Sequence, residues 1–309
     1  MLAAQFSKQL EESFQRGGDD ACRLFHGRGH CYPGLEFINV DWFKPVVWVV
    51  IYGEPDAALV AALQQAVCAF ARQHAQIEAV AWQQRVRGRA GQQVIYGHLP
   101  ETCYAEEAGA RYYLNLAENQ NIGFFLDAEP GRQWLRHHAQ GKRVLNLFAY
   151  TCSFSVAALQ GGAAHVVNID MAKSVIATGQ RNHALNQLDQ QSVSFLPHDI
   201  FRSTRKLEQL GPYDLVVIDP PSRQKGSFSA DKDYARLVCK LKPMLAEDAL
   251  ILACLNAPYL AEHFLPDVFA AELPQAQFVE RLPQRLDFPE KDLDCCLKMQ
   301  VFHYQAKDS

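Results

Sequence analysis

Three aspartates that each close a short apolar run could together hold a nucleoside and the group that reacts beside it. Val166-Val167-Asn168-Ile169 leads into Asp170, Val193-Ser194-Phe195-Leu196-Pro197-His198 into Asp199, and Leu215-Val216-Val217-Ile218 into Asp219-Pro220-Pro221-Ser222. A carboxylate after one strand can accept hydrogen bonds from both hydroxyls of a ribose. A carboxylate after the next can accept from an adenine amino group. Either acid taken alone reads equally well as a helix cap or turn residue; their recurrence at successive strand ends points to a ligand. An earlier run, Arg143 to Leu147, leads into the turn Phe148-Ala149-Tyr150-Thr151-Cys152-Ser153, where backbone must come close to that ligand. The turn holds no glycine, so it lacks the Gly-x-Gly-x-x-Gly that lets backbone reach a pyrophosphate. That argues against a dinucleotide and against hydride chemistry.

Positioning these residues requires helices that return the chain between strand ends. The periodicity predicts helices over 130–139, 154–160, 174–186, 201–210 and 231–245, alternating with strands at 143–147, 165–169, 193–196, 215–218 and 250–254. A helix at 261–269 and strands at 277–282 and 296–304 close the pattern. The fold class predicted is α/β, a doubly wound Rossmann-like sheet with its crevice at the carboxyl ends of the strands. Ahead of it, Phe6, Leu10 and Phe14 mark an amphipathic helix that Gly17-Gly18-Asp19-Asp20 stops. Strand-like sequence follows from Cys22 to Tyr52, then a helix from Asp56 to His74 and a hairpin over Ala79–Gly97 turning at 88–91. A strand near Tyr112–Leu116 links onward. The expected division is a small α+β domain over 1–115, reading the substrate, and a catalytic domain over 116–309.

The chain has 309 residues, 49% of them hydrophobic and 21% charged, which suits a globular protein of this size. A formal net charge of −4 gives no bulk attraction to nucleic acid, so any such surface must be a local basic patch. Nine scattered cysteines do not form a disulfide framework and fit a reducing cytoplasm. The N-terminus lacks the charged and apolar regions of a secretory signal. The longest apolar run, Val46–Tyr52, is far short of a membrane span.

Gly123-Phe124-Phe125-Leu126-Asp127, then Asn146-Leu147-Phe148-Ala149-Tyr150-Thr151, Asp170, Asp199 and Asp219-Pro220-Pro221 form a linked set. In that order they resemble the motifs of the bacterial ribosomal-RNA large-subunit methyltransferases that modify cytosine C5 or guanine N7. Pro33-Gly34-Leu35 is similar to a turn in the small domain those enzymes place before the catalytic one. The resemblance implies S-adenosylmethionine (SAM) as cofactor, held by Phe125, Asp127, Asn146, Phe148, Tyr150, Cys152, Ser153, Asp170, Met171, Asp199, Ile200 and Asp219. It also implies RNA as partner, with no metal and no membrane; a homodimer is allowed. Two departures stand out. Cys152 replaces the glycine that ends the first-turn motif, and the chain begins at the small domain without a preceding RNA-binding module.

The same resemblance places Asp219, Pro220, Pro221, Ser222 and Asn256 at the target base. Methyl transfer is an in-line displacement in which positioning supplies most of the catalysis. A ring nitrogen already offers a lone pair, whereas cytosine C5 needs a cysteine thiolate to add to the ring. In the C5 branch that cysteine follows the strand after Asp-Pro-Pro, and the matching position here is Asn256, with Cys254 two residues earlier inside the strand. A nitrogen acceptor is therefore expected, guanine N7 or another. Arg85, Arg87 and Arg89, near Trp82, read either as an exposed hairpin or as a phosphate-tracking strip, with Lys225 closing from beyond Asp-Pro-Pro. Phe228 reads either as a stacking platform for a flipped base or as an anchor for its loop. His26-Gly27-Arg28-Gly29-His30-Cys31 has loose ligand spacing but no second pair, which favours a loop over a metal site.

Overall fold

The computed structural model describes residues 1–86, 89–116, 121–224 and 228–306, the side chains of Arg89 and Ala90 apart. Of the expected site residues, Arg87 and Lys225 lie outside the described residues, and so does the side chain of Arg89. The chain divides into two compact units, Met1–Leu126 with Arg285–Asp292, and Asp127–Gln284 with Leu293–Ser309.

The first unit runs α1 (Leu2–Arg16), β1 (Cys22–His26), β2 (Ile38–Phe43), β3 (Val46–Tyr52), α2 (Ala57–Gln73), β4 (Ala79–Val86), β5 (Arg89–Gly97), β6 (Cys103–Glu107) and β7 (Ala110–Leu114). Its sheet has the order β1-β2-β3-β4-β5. Only β3 and β4 pair in parallel, because α2 carries the chain back between them. Asp56 caps α2 by accepting from the Leu59 N–H at 2.8 Å. The apolar stripe of α1 buries Phe6 and Leu10, and Phe14 meets Trp42 and Phe70 edge-on at 5.2 Å each. Trp82 is therefore core, 3% exposed, rather than a neighbour of any surface strip. The β6–β7 hairpin was only half legible. The inward face of β6 carries Cys103, Ala105 and Glu107, too small or too polar to show alternation.

Residues Arg285–Asp292 complete this unit through a largely shielded ionic network. Arg285 makes two hydrogen bonds of 2.7 Å to Asp287, and Asp287 accepts from the Arg23 N–H at 2.8 Å. Arg23 pairs with Asp41 at 2.6 Å and lies over the Phe288 ring. His26 sits between Arg23 and Glu290, so it belongs to this network rather than to a ligand set.

The second unit runs α3 (Glu129–His138), β8 (Arg143–Leu147), α4 (Ser153–Gln160), β9 (His165–Ile169), α5 (Lys173–Leu185), β10 (Val193–Leu196), α6 (Thr204–Leu210), β11 (Tyr213–Ile218), β12 (Arg223–Gln224), β13 (Phe228–Ser229), α7 (Ala230–Val238), β14 (Leu245–Leu255), α8 (Phe264–Glu272), β15 (Ala276–Arg281) and β16 (Lys298–Gln305). The sheet order is β10-β9-β8-β11-β14-β16-β15. The first five strands are parallel and the last two antiparallel. This is the doubly wound sheet expected, with its antiparallel closing pair. Continuous runs such as Leu215–Ile218 are buried because helices cover both faces.

Several boundaries differ from the sequence reading. The helix expected to reach Leu245 stops at Val238, because Pro243 lacks an amide hydrogen and Lys242–Met244 tightens into a 3-10 turn. The strand after it is accordingly longer, beginning at Leu245. Cys295 lies in a second 3-10 turn, exposed, while Cys296 is buried just ahead of β16; the pair does not share a strand.

Candidate functional site

From β8 the chain winds outward to β9 and β10, then crosses back to β11 and β14 on the other side. The carboxyl ends of β8 and β11 thus flank the point where winding direction reverses, which is where an open α/β sheet has its crevice. Pairing of Ile218 with Leu147 and with Ala253 sets Asp219 beside the first turn on one side and Cys254 on the other. Asp170 and Asp199 follow β9 and β10 at the same end of the sheet.

The first turn owes its shape to three left-handed residues. Phe148, Tyr150 and Cys152 have φ of 57°, 47° and 63°. Each such residue with a Cβ costs about 1–2 kcal/mol, so the surrounding structure must hold the turn in place. Cys152, with φ 63° and ψ 30°, takes a left-handed conformation that glycine adopts most readily. Its side chain is wholly buried and points at α5, where Gly179 leaves room for it: a Cβ on Gly179 would stand 2.4 Å from Cys152 Sγ. Burial pushes the Cys152 thiol far above its ordinary range, so it acts as a small apolar group. The backbone is tied down as well. Asp170 accepts from the Tyr150 N–H at 3.0 Å and from the Ala172 N–H at 2.9 Å, one on each carboxylate oxygen. Asn182 donates to Thr151 O at 2.9 Å.

A fully buried polar chain lies under this turn. Asn146 Nδ2 donates to Asn168 Oδ1 at 2.9 Å, and Asn168 Nδ2 donates to Ser155 Oγ at 2.9 Å. His183 Nδ1 donates to Gly179 O at 2.7 Å, which leaves Nε2 to accept from the Ser155 hydroxyl at 2.8 Å. Burial lowers the His183 pKa and keeps the ring neutral, as this directionality requires. Among the described residues Asn146 Oδ1 has no partner. Asn146 and Cys152, expected on the cofactor wall, therefore lie beneath it and act on the turn from below. Asn168, Ser155, His183 and Gly179 were not singled out from sequence. Gly179 carried a signal, since glycine in the interior of a helix costs about 1 kcal/mol and needs a packing reason.

The remaining expected residues fall as follows. Phe148, Tyr150 and Ser153 are partly exposed, Met171 is 48% exposed, and Ile200 is core. Phe125 is 43% exposed and belongs to the first unit. Asp199 accepts from the Arg202 N–H at 3.2 Å, a turn contact that occupies one oxygen. Each Asp170 oxygen carries one backbone N–H and keeps a lone pair for a hydroxyl, so these side chains fit an adenosine moiety. Phe228 is 3% exposed, packed edge-on against Phe148 at 5.0 Å, which makes it the loop's anchor rather than a free stacking platform.

At the end of β11, Asp219 is partly exposed, Pro220 buried, Pro221 exposed and Ser222 half-buried. Cys254 is wholly buried in β14, and burial together with the Asp219 carboxylate drives its pKa far upward. Although the residue keeps some exposure, desolvation of its carboxyl and the nearby Asp127 carboxylate raise Asp219 to about 7, with Arg132 and the Cys254 thiol pulling the other way. Asn256, two residues on, is exposed just past the end of β14.

In the first unit, Arg85 donates from Nε to Gln83 Oε1 at 2.7 Å and lies 5.5 Å from the Tyr52 ring, which Arg28 also approaches at 4.6 Å. Arg85 lies on β4 and Arg89 on β5, so these two arginines do not share a strand. Among the described residues no group of three or more histidines, cysteines or acids is placed to hold a metal. No helix among them is long and apolar enough to cross a membrane.

Comparison with known proteins agrees with this geometry. The chain is 32% identical over 209 residues to a protein of Aeromonas hydrophila named ribosomal RNA large subunit methyltransferase I, a match spanning 63% of this chain and 52% of that one. It is 28% identical over 308 residues to an Escherichia coli protein of the same name, spanning 93% and 76%. The chain thus spans about half the length of the Aeromonas relative it matches. A solved structure of a chain assigned as a methyltransferase, crystallised with SAH, superposes with a TM-score of 0.85 at 26% identity, covering 97% of this chain and 81% of that one. The model of the S-adenosylmethionine-dependent methyltransferase family matches residues 22–303, and this chain belongs to that family, with S-adenosylmethionine as its cofactor.

Proposed function

We propose that this chain methylates a nitrogen of an RNA nucleobase, and that its substrate is large-subunit ribosomal RNA. The bound cofactor would supply an electrophilic methyl group. Asp170 would accept from the ribose hydroxyls and Asp199 from the adenine amino group. Asp127, Phe148, Tyr150, Ser153 and Met171 would line the cofactor, and Asp219, Pro220, Pro221, Ser222 and Asn256 the target base. The choice of RNA rests on the names of the Aeromonas and Escherichia coli relatives, and action on ribosomal RNA would place the protein in the cytoplasm. Arg28 and Arg85, gathered at Tyr52, offer a cationic and aromatic surface suited to a nucleic-acid strand.

One observation carries nitrogen over carbon. Carbon C5 methylation needs a thiolate at the base, and Cys254 is sealed in β14, where burial and the Asp219 carboxylate keep its thiol protonated. The left-handed backbone of Cys152, a shape glycine adopts readily, supports an active enzyme over a catalytically quiet scaffold. The test is turnover of Cys254→Ala on RNA at alkaline pH. Retained turnover supports the nitrogen reading; complete loss with S-adenosylmethionine binding intact returns the carbon reading.

A further inference from the structure

The loop after β14 carries an aromatic ring between two of the residues assigned to the target base. Leu260 N–H donates to Ala257 O at 3.1 Å, closing a turn with Pro258 at its second position and Tyr259 at its tip. The fixed φ of proline suits that position. Both ends of the turn are anchored, since Ala257 is wholly buried and Leu260 packs against the core. Behind it, Gln300 Nε2 donates to Glu262 O at 2.9 Å, and Arg281 pairs with the Glu262 carboxylate at 3.1 Å. Tyr234 donates to Cys254 O at 3.0 Å and so ties the end of β14 to α7. Tyr259 itself is 61% exposed, yet its hydroxyl donates to Ser222 O at 3.3 Å. That carbonyl also accepts from the N–H of Ala230, the first residue of α7, at 3.1 Å. The ring therefore bridges from the loop that begins at Asn256 to the end of segment 219–222. It is held at its backbone and at its hydroxyl, and its body is open to solvent.

A single exposed aromatic is ordinary on a protein surface; one fixed at both ends across a candidate site is a preformed platform. Phe228, beyond Ser222, is buried against Phe148 and offers no free face. We propose, resting on the nucleobase reading above, that Tyr259 is the stacking platform for the target base, which leaves its own stack and lies on the open face of the ring. Stacking offsets part of the cost of extruding the base and holds the acceptor atom still for in-line displacement. Every base has a π-face, so the contact fixes where the base lies without choosing which base it is. Tyrosine has only two side-chain torsions to order. The tether to Ser222 restricts them before the substrate arrives, so little freedom is lost on binding.

Substitution separates stacking from packing. With S-adenosylmethionine and large-subunit ribosomal RNA from cells lacking the gene, kcat/KM for RNA should fall about 10- to 100-fold in Tyr259→Ala. Tyr259→Leu keeps apolar bulk without a ring and should fall as far, whereas Tyr259→Trp should recover most of the loss. Tyr259→Phe keeps the ring without the tether and should lose less than about tenfold. Cofactor affinity by calorimetry should stay at the wild-type value in all four, which also shows that they fold. Tyr259→Trp reads the contact directly. The four native tryptophans are each at most 7% exposed, so acrylamide reaches chiefly the introduced indole. The same RNA, added with S-adenosylhomocysteine, should shield that indole and quench its emission. Full activity in Tyr259→Ala, rescue by leucine, cofactor affinity falling in step with activity, or an indole still open to acrylamide in the RNA complex overturns this inference and leaves RNA methylation standing. No transfer to RNA by the wild-type protein overturns the functional reading and the inference with it.

Discussion

Replacing Gly179 by alanine probes how the first turn is held. The added methyl would meet Cys152 Sγ at 2.4 Å and Cys152 Cβ at 3.1 Å, where carbon contacts settle at about 3.5–4.0 Å. Cys152 is wholly buried, so the thiol must retreat by about 1 Å into packed core and drag the turn with it. Overpacking of this kind costs about 1–3 kcal/mol. Alanine's helix propensity returns about 1 kcal/mol. An approach of 2.4 Å calls for the upper part of the overpacking range, about 2–3 kcal/mol, so the expected net loss is about 1–2 kcal/mol, read as a lower urea midpoint with unchanged slope. Cys152→Gly loses about 1 kcal/mol of burial and gains about as much by relieving the left-handed residue, so it should lie within about 1 kcal/mol of wild type. In the double variant the new methyl fills the space the thiol vacates. The two changes should therefore couple favourably by about 1–2 kcal/mol. Calorimetry should show S-adenosylmethionine affinity falling about fivefold or more in Gly179→Ala and recovering in the double variant. Strict additivity, or a Gly179→Ala chain as stable as wild type, would refute the claim that Gly179 exists to admit Cys152.

Two further perturbations follow from the same geometry. Asp170→Ala removes a carboxylate that accepts from two backbone amides and is assigned to the ribose. Hydrogen bonds to charged groups are worth about 1.5–3 kcal/mol each, so calorimetry should show cofactor affinity falling by at least about tenfold; an unchanged affinity would remove Asp170 from the site. Arg285→Ala leaves the half-buried Asp287 with only the Arg23 amide donor and should destabilise the first unit by about 1–3 kcal/mol. Limited proteolysis should then cut within 285–292 at a protease concentration that spares the wild type.

Much of the site was legible because its residues sit where the backbone changes state. Asp170, Asp199 and Asp219 end strands, and period and composition mark strand ends well. The doubly wound order followed from the alternation of strands and helices. What escaped was the layer that acts through tertiary contact. Ser155 and His183 are separated by 28 residues, and Asn146 and Asn168 by 22, and nothing local says they touch. The ionic network joining Arg23 to Asp287 spans 264 residues. Cys152 looked like a defect because its type was visible and its backbone conformation was not. Phe228 shows the reverse: an aromatic in a loop near the target base is attractive by type, and packing against Phe148 decides its role.

The most direct test is incubation of the purified protein with methyl-labelled S-adenosylmethionine and ribosomal RNA from cells lacking the gene, followed by nucleoside analysis. Label confined to one N-methylated nucleoside of large-subunit RNA is the predicted result. Label appearing only as 5-methylcytidine, or failing to enter RNA while the cofactor still binds, would contradict the account.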